Sequence, residues 1–171
     1  RLNMLCNNIL LASQLDGKAY QETRTEINFS DLLEGCIDTF KQHYPSRLVT
    51  EQIEPTLYLD GETLLLQMLV NNLLENAHKY APQDTEIKVV LGQFGKHIKL
   101  EVIDSGKGIP ASEKLKIFEK FYRIGSEATR NTKGTGLGLY LCKKIAENHN
   151  ANISVTDNKP QGSIFVVTFN S

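Results

Sequence analysis

The chain has 171 residues, of which 40% are hydrophobic and 23% are charged, with 12 glycines and 5 prolines. This composition suits a globular domain with its own core and excludes collagen-like, mucin-like and most disordered chains. With 19 basic and 20 acidic residues the formal net charge is −1, which gives no overall field for nucleic acid or an anionic membrane. We therefore expect neither nucleic-acid binding nor direct membrane contact.

The N-terminal segment has the pattern of an amphipathic helix. Its apolar residues recur at steps of three and four (Leu2, Leu5, Ile9 and Ala12) and form a seam similar to the edge of a coiled coil. Gly17 is predicted to stop this helix, and residues 16–25 are polar. We interpret residues 1–25 as the end of a longer helical module and a linker. The alternative is a first helix that packs on its own domain.

Residues 26–171 alternate between helical and extended patterns. The predicted helices span residues 30–44, with Ser30 as N-cap, then 62–80 and 137–148, and the predicted strands span 48–53, 56–59, 86–93, 97–104, 152–156 and 163–169. Ile98, Leu100 and Val102 alternate with polar residues, which indicates a sheet with one wet face. The order predicts an α+β fold, a two-layer α/β sandwich with a mixed, mostly antiparallel sheet and helices on one face.

Residues 105–135 are too long for a simple connection in a compact domain. An apolar island at residues 115–122 lies between polar ends, which predicts a mobile lid with an apolar anchor. The three cysteines (Cys6, Cys36 and Cys142) are far apart, and the four histidines show no ligand-like spacing. We expect buried reduced thiols and no metal site built from His and Cys.

Three clusters could carry chemistry. Asn72 and Asn76 lie one helical turn apart, with Lys79 and Tyr80 following on nearly the same face. Asn is unfavourable inside a helix, so the pair suggests a function: amide oxygens can bind Mg²⁺ and a lysine can contact phosphate. The alternative is a polar helix edge with an incidental Asn pair.

The other two clusters are rich in glycine. Asp104 ends a strand and is followed by Gly106 and Gly108, where a carboxylate could accept from an exocyclic amine while a planar base lies along the backbone. Residues 134–139 (GTGLGL) open a helix whose free amides favour an anion such as phosphate. Taken singly, each cluster is also compatible with an ordinary turn or a flexible loop.

In this order the motifs resemble the ATP-binding catalytic domain of sensor histidine kinases, within the GHKL group shared with gyrase-type ATPases. Residues 72–80 (NLLENAHKY) resemble the N box, residues 104–109 the first glycine box, residues 118–122 (FEKFY) the F box, residues 134–139 the second glycine box, and residues 162–165 (GSIF) the terminal strand entry. The resemblance implies a Bergerat-type ATP-binding fold over residues 26–171.

The resemblance also implies roles for individual residues. Asp104 would bind the adenine amino group, and Asn76, assisted by Asn72, would ligate the Mg²⁺ that bridges the ATP phosphates. Lys79 and Tyr80 would reach phosphate or ribose oxygens, and Asn72, Asn76 and Lys79 form the implied catalytic set. The remaining implied nucleotide contacts are Gly106, Gly108, Ile109, Gly134, Thr135, Gly136, Leu137, Gly138 and Leu139.

The implied reaction is transfer of the γ-phosphoryl group of ATP to a histidine, for signalling to a response regulator. None of the four histidines has acceptor-like neighbours, so we expect the acceptor on a dimerisation helix absent from this chain, with residues 1–25 as the end of its helical hairpin. The fragment would then bind ATP but be inactive alone. The parent is expected to be a homodimer, anchored in a membrane with this domain in the cytoplasm.

Two other interpretations stay open at this point. The first is a GHKL-type serine kinase or ATPase, although ATPases of this group carry a Glu base where Asn72 stands, and Asn cannot take a proton. The second is a nucleotide-binding regulatory module without transfer activity.

Overall fold

The computed structural model describes residues 2–16, 23–125 and 136–170, with side chains described from residue 8 onward. The elements are α1 (Leu2–Asp16), β1 (Thr25–Asn28), α2 (Phe29–His43), β2 (Val49–Ile53), β3 (Tyr58–Gly61), α3 (Thr63–Tyr80), β4 (Ile87–Phe94), β5 (His97–Asp104), the 3-10 turns Ala111–Glu113 and Lys116–Phe118, α4 (Gly138–Asn148), β6 (Ala151–Asp157) and β7 (Ser163–Asn170). Among the helices of these ranges, none has the length and apolarity that a membrane crossing requires.

The main sheet has five strands in the order β2-β4-β5-β7-β6. β2 runs parallel to β4, and every other neighbouring pair is antiparallel. In β5 the residues Ile98, Leu100 and Val102 are buried and alternate with half-buried ones, as the sequence predicts. The helices α2, α3 and α4 pack on that buried face, which confirms the α+β two-layer sandwich.

The core forms between the helix layer and the sheet. α3 contributes a continuous buried stripe, Leu65, Leu66, Leu69, Val70, Leu73, Leu74 and Ala77. From α2, the ring of Phe29 meets Phe169 of β7 edge-on, with centroids 5.2 Å apart. Each fully buried leucine or phenylalanine contributes roughly 1.5–3 kcal/mol. This packing holds α3 rigidly against the sheet.

Strand β1 lies in a segment that the sequence pattern does not assign to a strand. It pairs antiparallel with β3 in a separate two-stranded sheet, with Ile27 opposite Leu59. Only Ile27 of its four residues is buried, so the alternation that predicts a strand is too short to detect.

The N-cap of α2 is Asn28, and the prediction of Ser30 was wrong. Asn28 Oδ1 accepts from the backbone N–H of Asp31 at 3.2 Å. Ser30 is buried in the first turn, where its hydroxyl donates to the Glu54 carbonyl at 2.6 Å and accepts from the Leu57 N–H at 3.1 Å. Both residue types cap helices well, and these tertiary partners decide between them.

Helix α1 forms as predicted and packs beside α4. Ala12 is fully buried, while Ile9 and Leu10 are exposed. The carboxylate of Asp16 accepts a hydrogen bond from the Tyr140 hydroxyl and lies 3.5 Å from Lys144 Nζ. Gly17, the predicted helix stop, lies outside the described residues. The boundary near residue 25 between this helical segment and the ATP-binding domain stays a prediction.

The part of the predicted lid that is described contains the two 3-10 turns. Ile117 and Phe118 are buried, and the Phe118 ring faces Phe165 with centroids 6.2 Å apart. Leu115 and Phe121 are 87% and 57% exposed, so only part of the apolar island acts as an anchor. Residues 126–135 lie outside the described ranges.

Two of the three cysteines fall among the described side chains. Cys36 and Cys142 are free and buried, as expected, and Cys6 lies outside the described side chains. Burial raises the pKa of the Cys36 thiol to about 11 and raises the pKa of Cys142 further. Both thiols are therefore protonated at neutral pH and are poor nucleophiles.

Candidate functional site

The structure brings together the last turns of α3, the end of β5 and the start of α4. Asn72 Nδ2 of α3 donates to the Gly138 carbonyl of α4 at 3.5 Å. A Cβ atom added to Gly106 would stand 2.6 Å from the Tyr80 carbonyl oxygen, so the chain after β5 lies directly against the end of α3. The three predicted clusters therefore lie next to one another along the C-terminal half of α3, and we call the space between them the cleft.

On α3, the predicted site residues follow the edge of the buried stripe. Asn72 and Asn76 are half-buried, whereas Lys79 and Tyr80 are exposed. Besides Gly138, Asn72 also contacts the buried thiol of Cys142. Asn72 thus connects α3 to α4. The Asn76 amide and the Lys79 ammonium lie one and two turns further toward the C-terminal end of α3.

The floor of the cleft consists of residues 104–108, Gly162 and the Tyr80 carbonyl. Asp104 is 4% exposed, and its Oδ1 accepts from the Gly106 N–H at 2.8 Å. Burial raises the pKa of Asp104, and the N–H groups of Gly106 and Ser163 and the charge of Arg47 oppose that rise. Asp104 is a buried hydrogen-bond acceptor, which suits recognition of a donor group.

Glycine is required in the floor because backbone segments approach each other closely. Gly162 has φ +116°, and a Cβ there would lie 2.0 Å from the Asp104 carbonyl oxygen. The Asn158 side chain donates to that same carbonyl at 2.9 Å, and the backbone N–H of Asn158 donates to the Gly162 carbonyl at 3.0 Å. These contacts fix the strand end that carries Asp104. Ile109, the next predicted contact, is partly buried against the core.

The α4 entry, residues 121 and 136–138, borders the cleft near Asn72. Gly136 has φ +75°, and a Cβ there would lie 2.6 Å from the Phe121 carbonyl carbon. The Phe121 N–H donates to the Gly136 carbonyl at 3.1 Å, which joins the F box to the start of α4. Gly134 and Thr135, two of the predicted contacts, lie outside the described residues.

The start of α4 has the properties of an anion site. Leu137 is fully buried and Leu139 packs partly against the core, which fixes the helix direction. Within the described ranges, no side chain caps the first turn of α4. Backbone amides at a helix N-terminus carry partial positive charge and bind phosphate groups.

Sequence reasoning missed two residues that shape the site, Asn158 and Arg47. Asn158 stabilises the floor, and Arg47 is buried and binds the end of α3 and the segment after it. An isolated Asn or Arg in a loop carries no local pattern, because the acceptors lie far away along the chain. No sequence signal within the chain would have identified either.

Residues 61–171 match the family described as histidine kinase-, DNA gyrase B- and HSP90-like ATPases. Because this match covers well over half of the chain, the protein belongs to that family.

Two named relatives indicate a more specific class within this family, that of sensor proteins. The sensor protein CiaH of Streptococcus pneumoniae is 42% identical over 106 residues, 62% of this chain and 24% of that protein. The sensor protein kinase PmrB of Pseudomonas aeruginosa is 33% identical over 156 residues, 91% of this chain and 32% of that protein. This chain therefore spans about a quarter to a third of the length of these two relatives.

A solved structure gives the same class. The nucleotide-free catalytic domain of the histidine kinase ThkA superposes with a TM-score of 0.74 at 26% identity, covering 86% of this chain and 97% of that one. The chain is thus an ATP-binding catalytic domain of the sensor histidine kinase type.

Proposed function

We propose that this domain binds ATP with Mg²⁺ in the cleft between α3, the floor and the α4 entry, and that it transfers the γ-phosphoryl group to a histidine on another segment. The observation that carries the proposal is the convergence of three groups: a buried carboxylate, an amide pair and the N-terminus of helix α4. In one Mg·ATP, the carboxylate suits the amine of adenine and the amide pair suits the metal on the phosphates. The helix N-terminus suits the phosphate oxygens.

Asp104 is proposed to recognise adenine. One of its oxygens already accepts from Gly106, and the carboxylate can accept a further hydrogen bond from the exocyclic amine. Gly106 and Gly108, whose Cβ positions face Tyr80 and Gly162, present only backbone atoms to a planar base that is proposed to lie beside Ile109. Guanine presents a carbonyl oxygen where adenine has this amine, and a carboxylate would repel it.

Asn76, with Asn72, is proposed to hold Mg²⁺ together with the nucleotide. Among the described residues there is no group of three or more His, Cys, Asp or Glu that could hold a metal unaided. Amide oxygens fit Mg²⁺, which prefers oxygen ligands and commonly takes most of its shell from substrate phosphates and water. When bound, Mg²⁺ neutralises charge on the triphosphate. Lys79 and Tyr80 are exposed beside this position and can contact phosphate or ribose oxygens.

The start of α4 is proposed to hold the triphosphate. Its amides and those of residues 134–136 would contact phosphate oxygens, and the small side chains there permit the approach. Phosphoryl transfer has a loose transition state, so these groups act by positioning the γ-phosphoryl group and neutralising its charge.

The phosphoryl acceptor is proposed to come from another segment. His97 and His149 lie at the ends of β5 and α4 that are remote from the cleft, and His43 ends α2. His78 accepts from Arg47 through Nδ1 at 3.1 Å, and its ring stacks on Tyr44. We therefore place the acceptor on an earlier helix of a dimerisation hairpin, and propose that residues 1–25 are the end of the hairpin's second helix and a linker. A homodimeric, membrane-anchored sensor with this domain in the cytoplasm would then pass the phosphoryl group to a response regulator.

Titration with a fluorescent ATP analogue tests the binding site. Magnesium-dependent binding should be lost in Asn76→Ala and kept in Asn71→Ala, a matched control because Asn71 is an exposed amide on the same helix. Magnesium-dependent binding that is unchanged in Asn76→Ala would remove Asn76 from the metal site.

Labelled ATP tests the reaction. The domain alone should remain unlabelled, and a dimerisation hairpin from the parent, supplied in trans, should acquire an acid-labile, base-stable label. An acid-stable label would indicate a serine kinase, and ATP binding without any transfer would indicate a regulatory module.

A further inference from the structure

Arg47 is a buried cation in the loop between α2 and β2. It is 3% exposed, and its five N–H groups all donate hydrogen bonds. The acceptors are His78 Nδ1 (3.1 Å from Nε), the carbonyls of Pro82 and Thr85 (2.6 and 3.1 Å from Nη1), and the carbonyls of His78 and Ala81 (both 3.0 Å from Nη2). The guanidinium therefore has its full set of partners.

All of these acceptors belong to one short stretch, residues 78–85, which we call the strap. The strap contains the last turn of α3 and the connection to β4. Arg47 donates to its carbonyls at a helix C-terminus, where unsatisfied carbonyls and the helix dipole favour a cation. A planar guanidinium can reach several carbonyls in fixed directions, whereas a lysine ammonium offers three donors from a single point.

The strap borders the proposed nucleotide cleft and supplies the Tyr80 carbonyl to its floor. Tyr80 lies between the strap residues that Arg47 binds, and its carbonyl is the group that a side chain on Gly106 would strike. Lys79 and Tyr80, the proposed phosphate or ribose contacts, belong to the same stretch. A displacement of the strap would therefore move the floor and the side chains that reach the nucleotide together.

We propose that Arg47 is a positioning residue for the nucleotide, holding the strap so that the Tyr80 carbonyl, the floor and Lys79 keep the spacing that bound ATP requires. Arg47 acts through the strap and does not contact the nucleotide. This inference rests on the proposed function, because it assumes that the cleft is the ATP site.

Arg47 also acts on Asp104 electrostatically. Its charge lowers the pKa of Asp104, which burial raises, and the remaining groups acting on this carboxylate are the N–H groups of Gly106 and Ser163. Arg47 itself interacts with the charge of Asp84 and the ring of His78. If Arg47 is neutralised, the pKa of Asp104 should rise, so that nucleotide binding is lost at a higher pH as the solution is acidified.

The test compares Arg47→Lys and Arg47→Met with Ser30→Ala. Ser30 is buried and its hydroxyl makes two hydrogen bonds, at the opposite end of the domain's helix layer from the strap, so its loss destabilises the fold without touching the strap. The affinity for a fluorescent ATP analogue is measured at temperatures well below each variant's Tm, over a range of pH. Arg47→Lys retains the charge and a flexible donor, and it supplies the answer if Arg47→Met does not fold.

We expect affinity to fall about tenfold in Arg47→Met and about threefold in Arg47→Lys, and to stay within about twofold in Ser30→Ala. The pH midpoint of binding should rise in Arg47→Met and stay near that of the wild type in Arg47→Lys. If wild-type protein binds the analogue and both folded Arg47 variants bind equally well, the positioning role is refuted while the proposed function stands. If the wild type itself binds no nucleotide, the proposed function fails and this inference fails with it.

Discussion

The floor and the α4 entry both depend on glycine, but different surroundings enclose them. In the floor, Gly162 faces the Asp104 carbonyl, and these residues continue the paired strands β5 and β7, where Asp104 is opposite Ser163. At the α4 entry, Gly136 faces the backbone of Phe121, whose side chain is 57% exposed. Close contacts to backbone thus occur in a sheet on one side, at 2.0 Å, and in a surface segment on the other, at 2.6 Å.

Because of this difference, we expect substitutions in the two regions to affect different properties, folding stability in one and ligand binding in the other. A strand end in a sheet cannot move without breaking its ladder, so a clash there lowers the free energy of unfolding. A surface segment has fewer packed neighbours and can shift at lower cost, but a shift there moves the start of α4. We therefore expect glycine substitutions to affect stability in the floor and nucleotide affinity at the α4 entry.

The largest expected effect is that of Gly162→Ala. The new Cβ would stand 2.0 Å from a backbone oxygen, and φ of +116° is unfavourable for alanine. We expect the free energy of unfolding to fall by about 3 kcal/mol or more, measured by urea denaturation. Gly35→Ala is the control: it lies in α2 with no atom within 4 Å of its Cβ position, and should stabilise by about 0.5–1 kcal/mol. A Gly162→Ala protein as stable as the wild type would disprove a rigid floor.

Asp104→Asn should separate the chemistry of the floor from its folding. Burial raises the pKa of Asp104 above 3.8, so this carboxyl lowers the stability progressively as the pH rises from 3.8 to its folded-state pKa, and the full cost is present above that pKa. The Asn oxygen can still accept from Gly106, and the ionisation cost disappears. We expect affinity for ATP to fall about tenfold or more with little change in Tm. A variant that loses stability and keeps its affinity for ATP would show that Asp104 supports the fold and does not recognise the nucleotide.

Gly136→Ala should reduce affinity and cost less stability than Gly162→Ala. The added Cβ meets the Phe121 backbone at 2.6 Å and φ of +75° is unfavourable for alanine, so the exposed segment at Phe121 has to shift. We expect about a tenfold loss of ATP affinity, with a stability loss of about 1–2 kcal/mol. Urea denaturation and analogue titration on the same sample measure both quantities. A stability loss as large as that of Gly162→Ala would mean that the two sides are equally rigid.

The smallest expected effect is at Asp16, which joins α1 to the α4 side of the cleft. The pKa of Asp16 is lowered chiefly by the hydrogen bond from Tyr140, with Lys120 and Lys144 assisting. A lowered carboxyl pKa stabilises the contact above pH 3.8, and this stabilisation is lost as the pH falls through the folded-state pKa. Exposed contacts of this kind contribute about 0.2–1 kcal/mol and weaken with salt.

Hydrogen exchange measures this contact. Asp16→Asn should speed amide exchange in α1 at low salt and leave the floor unchanged. High salt should remove the difference from the wild type. Faster exchange in the floor would show that the floor and the α4 entry are coupled through α1, and would contradict the separate behaviour expected of them.

Local sequence patterns were enough to predict the elements that carry the site. The apolar stripe of α3 and the alternation in β5 depend only on helical and strand periodicity, and both elements form within one residue of the predicted limits. Glycines at 106, 108 and 136 mark positions where the backbone turns or is closely approached, and a glycine conveys this through its own residue type. The structure therefore brings Asn72 next to Gly138 and Gly106 next to Tyr80, while the roles of the predicted site residues toward a nucleotide stay predictions.

The tertiary structure alone decided three features: strand β1, the choice of Asn28 over Ser30 as N-cap, and the contacts of Arg47. β1 exists because β3 offers it a partner, and Ser30 is drawn inward by the Glu54 carbonyl. Arg47 binds atoms 31 to 38 residues further along the chain. A hydrogen bond depends on distance and direction in space, and neighbours in sequence do not reveal either for groups that meet only after the chain has folded.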